Sequence, residues 1–248
     1  MGSFIQVYTD GGGIREARVS DDYSGNGSQP FVLKFPGFRR SLLASLVASS
    51  TASRTSDIVT ITATAHGIPT GATYVGFRFF YPGSAGLAAG WYDSITDVQT
   101  NTISFNAPGA NFGSQSVNGA AIYTTLTDVT SITIPASMIL PDTSISVVGY
   151  RGGDTSANAK QLRTYLNGLN VSTTSATATP FVRFQSTATL VDISTGRAFG
   201  ESGFDNLSSA TEYLQNIPLN ADVVFSIRAS LAAASGYIYI PSMKVLIQ

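Results

Sequence analysis

Cysteine is missing from all 248 residues, which excludes disulfides and thiolate metal ligands. Histidine is nearly missing too, with His66 standing alone. One histidine cannot build a His-rich metal site, and any Ser-His-Asp triad would have to use it. Glutamate is scarce, at Glu16, Glu201 and Glu212. Charge of either sign is thin: 12% of residues are charged, roughly half the usual share of a free domain. Of 14 basic residues three are lysines, Lys34, Lys160 and Lys244, and no basic block follows Arg39-Arg40. Nucleic acid needs a dense cationic footprint and a membrane surface needs a polybasic segment, so neither partner is expected. The most apolar stretch, residues 41–48, is too short and too polar to span a bilayer. Met1-Gly2-Ser3-Phe4 has no basic region leading into an apolar one, so no secretory signal is read.

Catalytic and cofactor motifs are equally sparse. Gly11-Gly12-Gly13 lacks the Lys-Ser/Thr of a phosphate loop, and no G-x-G-x-x-G, G-x-S-x-G or EF-hand loop occurs. No cofactor is expected. Twelve aspartates could supply the carboxylate pair of a glycosidase. Most of them sit in turn contexts such as Asp10-Gly11, Pro141-Asp142-Thr143 and Gly153-Asp154-Thr155. A depolymerase is therefore the last-ranked reading, and the chain is expected not to be an enzyme. His66 lies in Ala65-His66-Gly67-Ile68-Pro69, which reads as a strand leaving into a turn, with Gly67 free to take a positive φ. The sequons at Asn26, Asn170 and Asn206 are about as many as chance supplies in a Ser- and Thr-rich chain.

What is present is a succession of short alternating runs punctuated by Gly, Ser, Thr, Asn and Pro. Val59 to Ala63, Tyr74 to Phe79, Ile132 to Ile134 and Val223 to Arg228 each alternate at period two, the mark of a strand. Tyr237-Ile238-Tyr239-Ile240 is apolar on both faces, which predicts a strand buried on both sides. Helical spacing is confined to Arg39–Val47 and Ser208–Leu214, where short helices are expected. The fold class is all-β: two antiparallel β-sandwich, jelly-roll-like modules, residues 41–124 and 125–248. An extended N-terminal arm, residues 1–40, rich in Gly, Ser and Asp, precedes them.

The stretch Ile58-Val59-Thr60-Ile61-Thr62-Ala63-Thr64-Ala65-His66-Gly67-Ile68-Pro69-Thr70-Gly71 is followed by Ala89-Gly90-Trp91-Tyr92 and Asn101-Thr102-Ile103-Ser104-Phe105. In order and spacing this resembles a segment of bacteriophage virion structural proteins. Ile132-Thr133-Ile134-Pro135-Ala136, the Lys160–Gly168 strand and turn, and the Val223–Arg228 strand are similar to jelly-roll modules of phage fibre, tail and capsid-decoration proteins. The resemblance covers residues 55 to 248 and carries over no catalytic residue. It implies a homotrimer that assembles with other virion proteins, such as the major capsid protein or a tail or neck protein. The place implied is the virion, assembled in the bacterial host cytoplasm.

Low charge points the same way, since it predicts a surface that meets other protein; the alternative is a monomer solvated by Ser and Thr. Phe31, Phe35 and Phe38 are the apolar residues of an otherwise polar lead-in. They are either assembly anchors or the start of the first module's core. Phe77 and Phe79, two apart, are expected to point inward, whereas Tyr81, Trp91 and Tyr92 are candidates for a glycan-facing platform. A host-surface glycan is accordingly the alternative partner.

Overall fold

The protein is described from a computed structural model covering residues 4–8, 14–18, 31–33, 40–46, 49–118, 126–136, 144–176, 181–192, 197–204, 207–213, 222–233 and 236–247. Strands β1 (Phe4–Tyr8), β2 (Ile14–Arg18), β3 (Phe31–Leu33) and β4 (Ser41–Ala44) come first. Next are β5 (Thr51–Thr55), β6 (Ile58–Thr62), β7 (Arg78–Tyr81), β8 (Gly90–Tyr92), β9 (Ile95–Gln99), β10 (Thr102–Asn106) and β11 (Phe112–Ser116). The remainder is β12 (Thr127–Ile134), β13 (Ser144–Gly153), β14 (Lys160–Leu166), β15 (Leu169–Ala176), β16 (Phe181–Asp192), β17 (Arg197–Phe204), β18 (Leu207–Tyr213), β19 (Val223–Leu231) and β20 (Tyr237–Ile247). The described residues hold a 3-10 turn at Ala72–Tyr74 and no α-helix, so the chain is all-β. No helix among them is long and apolar enough to cross a membrane.

Among the described residues the strands form four sheets, and β1 and β2 pair only with each other. A five-stranded sheet runs β11-β5-β6-β10-β9, and a four-stranded sheet runs β12-β19-β14-β15. The nine-stranded sheet runs β18-β17-β16-β13-β20-β4-β7-β8, with β3 beside β20. β4 and β7 run parallel; the pairs that flank them, β20–β4 and β7–β8, are antiparallel.

The nine-stranded sheet is a middle layer with a core on each face. One core lies against the four-stranded sheet and gathers Val147, Phe184, Phe225, Ile227, Ile238 and Val245. The other lies against the five-stranded sheet and gathers Val59, Ile61, Phe79, Tyr81, Ile103 and Phe105. Strands that separate the two cores must be apolar on both faces, because successive Cβ atoms point to opposite sides. Leu42 enters one core and Leu43 the other. Tyr237 and Ile238 divide in the same way. The two-faced burial expected for Tyr237–Ile240 is thus what the structure has.

Four expectations are corrected here. Residues 41–44 are a strand rather than a helix. All four are buried, and a strand buried on both faces offers a continuous apolar run that mimics helical spacing. Leu207–Tyr213 is likewise a strand, paired with β17 over its whole length. The division at residue 124 is not respected, since β4, β7 and β8 extend the sheet built by β13, β16, β17, β18 and β20. The lead-in of residues 1–40 is not all arm either. Its last strand, β3, pairs with β20 through Phe31↔Ile247, Val32↔Leu246 and Leu33↔Val245.

Several buried charged groups are tied down. Arg54 donates from Nε to Ala110 O at 2.7 Å and from Nη1 to Ala107 O at 3.3 Å, with Phe112 under its guanidinium. Arg151 donates from Nη1 to Lys160 O at 2.8 Å, and burial pulls its pKa down to about 10. Lys160 Nζ lies 3.0 Å from Asp154 Oδ1 and also donates to Ser156 O and Asn158 O. Asp154 Oδ2 accepts the Tyr237 N–H at 3.0 Å, fixing the start of β20. Burial acts to raise the Asp154 pKa. Hydrogen bonds from Ser156, the Tyr237 N–H and Lys160 outweigh it and hold the carboxyl below its ordinary value.

Two predictions follow from this packing. Leu42→Ala and Leu43→Ala should each cost about 2–5 kcal/mol in urea denaturation, although they are chain neighbours; a helix or a one-sided strand would spare one of them. Asp154 contributes stability that is fully present above the unfolded carboxyl value, near pH 4. That contribution is lost as pH falls through the lower folded value. Wild type should therefore lose more stability than Asp154→Asn as the denaturation buffer is taken from about pH 5 to about pH 2.

Candidate functional site

The aromatic group of the first half is mostly core. Tyr81 is 0% exposed, which corrects its assignment as a glycan-facing residue. The period-two spacing that sends Phe77 and Phe79 inward continues to Tyr81, and all three join one core. Burial pushes the Tyr81 phenol pKa up. Trp91 and Tyr92 are half-buried and face opposite cores. Trp91 Nε1 donates to Asp128 O at 2.8 Å, its ring meets Phe80 edge-on at 5.4 Å, and the Arg78 guanidinium lies 4.8 Å over it. The Tyr92 hydroxyl donates to Ala88 O at 2.9 Å, and its ring rests on Phe105. Both rings thus use their polar atom and much of their surface inside the protein. Trp91 ties β8 to β12 rather than offering an open platform.

Of the assembly anchors, Phe31 opens β3 opposite Ile247. Phe35 and Phe38 lie outside the described residues.

His66 has a structural post. Its Nδ1 accepts the Ile68 N–H at 3.1 Å, which places the ring proton on Nε2, and Nε2 donates to Gln99 O at 2.7 Å. Gly67 takes φ 75°, as the turn reading expects. Among the described residues no group of three His, Cys, Asp or Glu side chains is placed to hold a metal.

The surface that sequence reasoning missed lies on β13, β16 and β20, on the face turned away from the Phe184 and Val245 core. Register sets out lateral rows across these strands. Phe181, Gly152 and Tyr239 form one row, and Arg183, Tyr150 and Ser242 the next. Gln185, Val148 and Lys244 form a third. Tyr150 is 41% exposed and Phe181 52%. Their rings are stacked, with centroids 5.4 Å apart and planes 6° from parallel. Phe181 continues to Tyr239 at 6.5 Å, and Tyr239 to buried Tyr74 at 5.3 Å. A ladder of rings therefore leads from the second core out to solvent. Gly152 makes this geometry reachable, because a Cβ there would run into the Tyr239 ring. Burial raises the Tyr239 phenol pKa, so the hydroxyl remains a donor at neutral pH.

No protein-family model matches the chain, and no curated protein matches it. The fold is that of a layered, all-β sandwich protein. The insecticidal delta-endotoxin Cry8Ea1 of Bacillus thuringiensis is similar at 12% identity and a TM-score of 0.27, over 84% of this chain and 42% of the toxin. A lectin from Bauhinia forficata, in complex with GalNAc, is similar at 8% identity and a TM-score of 0.30, over 89% of this chain and 99% of the lectin. VP2 of infectious bursal disease virus, in its subviral particle, is similar at 14% identity and a TM-score of 0.22, over 99% of this chain and 64% of VP2. Likenesses this distant carry no argument about ligand, activity or assembly.

The ladder makes its own prediction. Gly152→Ala should displace the Tyr239 ring and lower the urea midpoint. Phe181→Ala, a truncation at the exposed end, should stay within about 0.5 kcal/mol of wild type.

Proposed function

We propose that the chain is a non-enzymatic structural subunit of a bacteriophage particle, acting through subunit–subunit assembly. The observation that carries this reading is the separate standing of the N-terminal hairpin. β1 and β2 form a sheet of their own, whereas β3 is already part of the nine-stranded body. An element that, among the described residues, pairs only with itself is suited to docking on a neighbouring virion component. The low charge supports the reading from the composition side, because a chain with 12% charged residues has few charges to keep its surface free of sister subunits. Buried apolar area supplies the affinity, at about 25 cal/mol per Å² before association costs. A homotrimer around a threefold axis and a place in the virion belong to the same proposal.

A second reading, carbohydrate recognition, is favoured by one observation: the exposed, stacked rings of Tyr150 and Phe181. It replaces the Tyr81, Trp91 and Tyr92 platform, whose rings are committed elsewhere.

Deleting residues 1–30 stops just before β3 and removes no strand of the larger three sheets. The truncated chain should fold, with an unchanged β-sheet circular dichroism spectrum, and should fail to enter particles. Normal incorporation of the truncated chain would remove the docking role of the hairpin.

A further inference from the structure

We propose that the outer face of β13, β16 and β20 binds an acidic polysaccharide, with Tyr150 and Phe181 stacking on sugar rings and Arg183 and Lys244 pairing with carboxylates. The inference rests on the carbohydrate reading and adds a ligand class to it.

Area argues against a protein partner on this face. Two half-exposed rings offer on the order of 200 Å². A stable protein interface buries about 800 Å² per partner around an apolar centre. Among the described residues the other large exposed apolar side chains are Val75 and Val224, and neither lies on these strands' outer face. A second copy seated here would rest mainly on polar groups. A pyranose suits the face better. Its C–H face is weakly positive and meets the negative face of an aromatic ring, while its hydroxyls need donors and acceptors at the rim. Ser242 and Arg183 are exposed beside Tyr150 in the same row and supply them.

Charge selects the kind of sugar. Arg183 and Lys244 are both exposed on this face. Arg183 flanks Tyr150 directly, and Lys244 lies two residues beyond Ser242 on β20. None of the positions in the three rows from Phe181 to Lys244 is Asp or Glu. These three rows are therefore cationic on a chain whose net charge is −1, and the first carboxylate by register is Glu201 of β17, beside Thr187 in the row that follows. Two cations are too few for the counterion-release binding of nucleic acid. They match carboxylates carried on successive sugars, with Arg183 able to engage one in bidentate fashion.

The test is calorimetric titration of the full chain with oligogalacturonate, and with maltohexaose as the neutral control, at low and high salt. The proposal expects saturable binding of oligogalacturonate that weakens with salt. Tyr150→Ser and Phe181→Ser should each weaken it about tenfold or more, with circular dichroism unchanged. Arg183→Gln with Lys244→Gln should remove both the preference for the acidic sugar and the salt dependence. Binding of maltohexaose alone would overturn the acidic class while leaving the carbohydrate reading in place. Silence toward both probes would overturn both. Oligogalacturonate binding that survives Tyr150→Ser and Phe181→Ser would overturn the site. So would a Phe181→Ser variant that changes oligomer mass and leaves sugar binding intact, because the face would then be a subunit contact.

Discussion

Strands β4, β7, β8 and β20 each send successive side chains into different cores, and the other layers are held through them. Leu42 and Leu43, Phe79 and Phe80, Trp91 and Tyr92, and Tyr237 and Ile238 divide in this way. Where a strand is used on both faces it cannot present a polar side, and Leu42-Leu43-Ala44, Phe79-Phe80-Tyr81, Trp91-Tyr92 and Tyr237-Ile238-Tyr239-Ile240 are accordingly apolar runs. Each fully buried Leu or Phe contributes about 1.5–3 kcal/mol relative to exposure. The same strands couple the halves of the chain. Strand β4 of the first half and the last strand of the second are neighbours in one sheet, through Leu42↔Tyr239 and Leu43↔Ile238. The five-stranded and four-stranded sheets then each need only one apolar face, which is why β6, β10 and β12 alternate more cleanly.

The boundary between the second core and solvent is where function is most readily placed. On β20 the outward residues begin as core, at Tyr237, and end as surface, at Ser242 and Lys244. Tyr239 lies at the transition, over Gly152 and beside Phe181. An aromatic ring held by a core on one side and open on the other is already ordered before a ligand arrives. Little conformational freedom is then lost on binding. Trp91 shows the contrasting outcome, because its indole N–H is committed to Asp128 O and its ring to the joint between sheets.

Much of the secondary structure was legible because strand burial writes itself at period two. Val59–Ala63, Ile132–Ile134 and Val223–Arg228 lie where alternation put strands, whereas Tyr74–Phe79 was read too long: Tyr74 ends a 3-10 turn and the strand begins at Arg78. His66 was legible as a turn residue from Gly67 and Pro69 beside it. Residues 41–44 and 208–213 were misread as helical because local spacing cannot tell a short strand from a helix turn; only the partner strands decide it. Tyr81 was misread although its signal was present, in the same alternation that placed Phe77 and Phe79. The Tyr150 and Phe181 pair left no such signal. They stand on different strands, far from each other in sequence, and the β13–β16 register alone sets them side by side.

By itself, then, the sequence determined the class of the protein. The absence of cysteine, the single histidine and the short alternating runs leave an all-β chain that must bury its strands by packing alone, since periodicity and composition are local properties. Tertiary structure decided which strands serve two cores, that the halves share a sheet, and which aromatics reach solvent. Those depend on pairing between distant segments, where a register shift of one residue would turn every side chain to the other face.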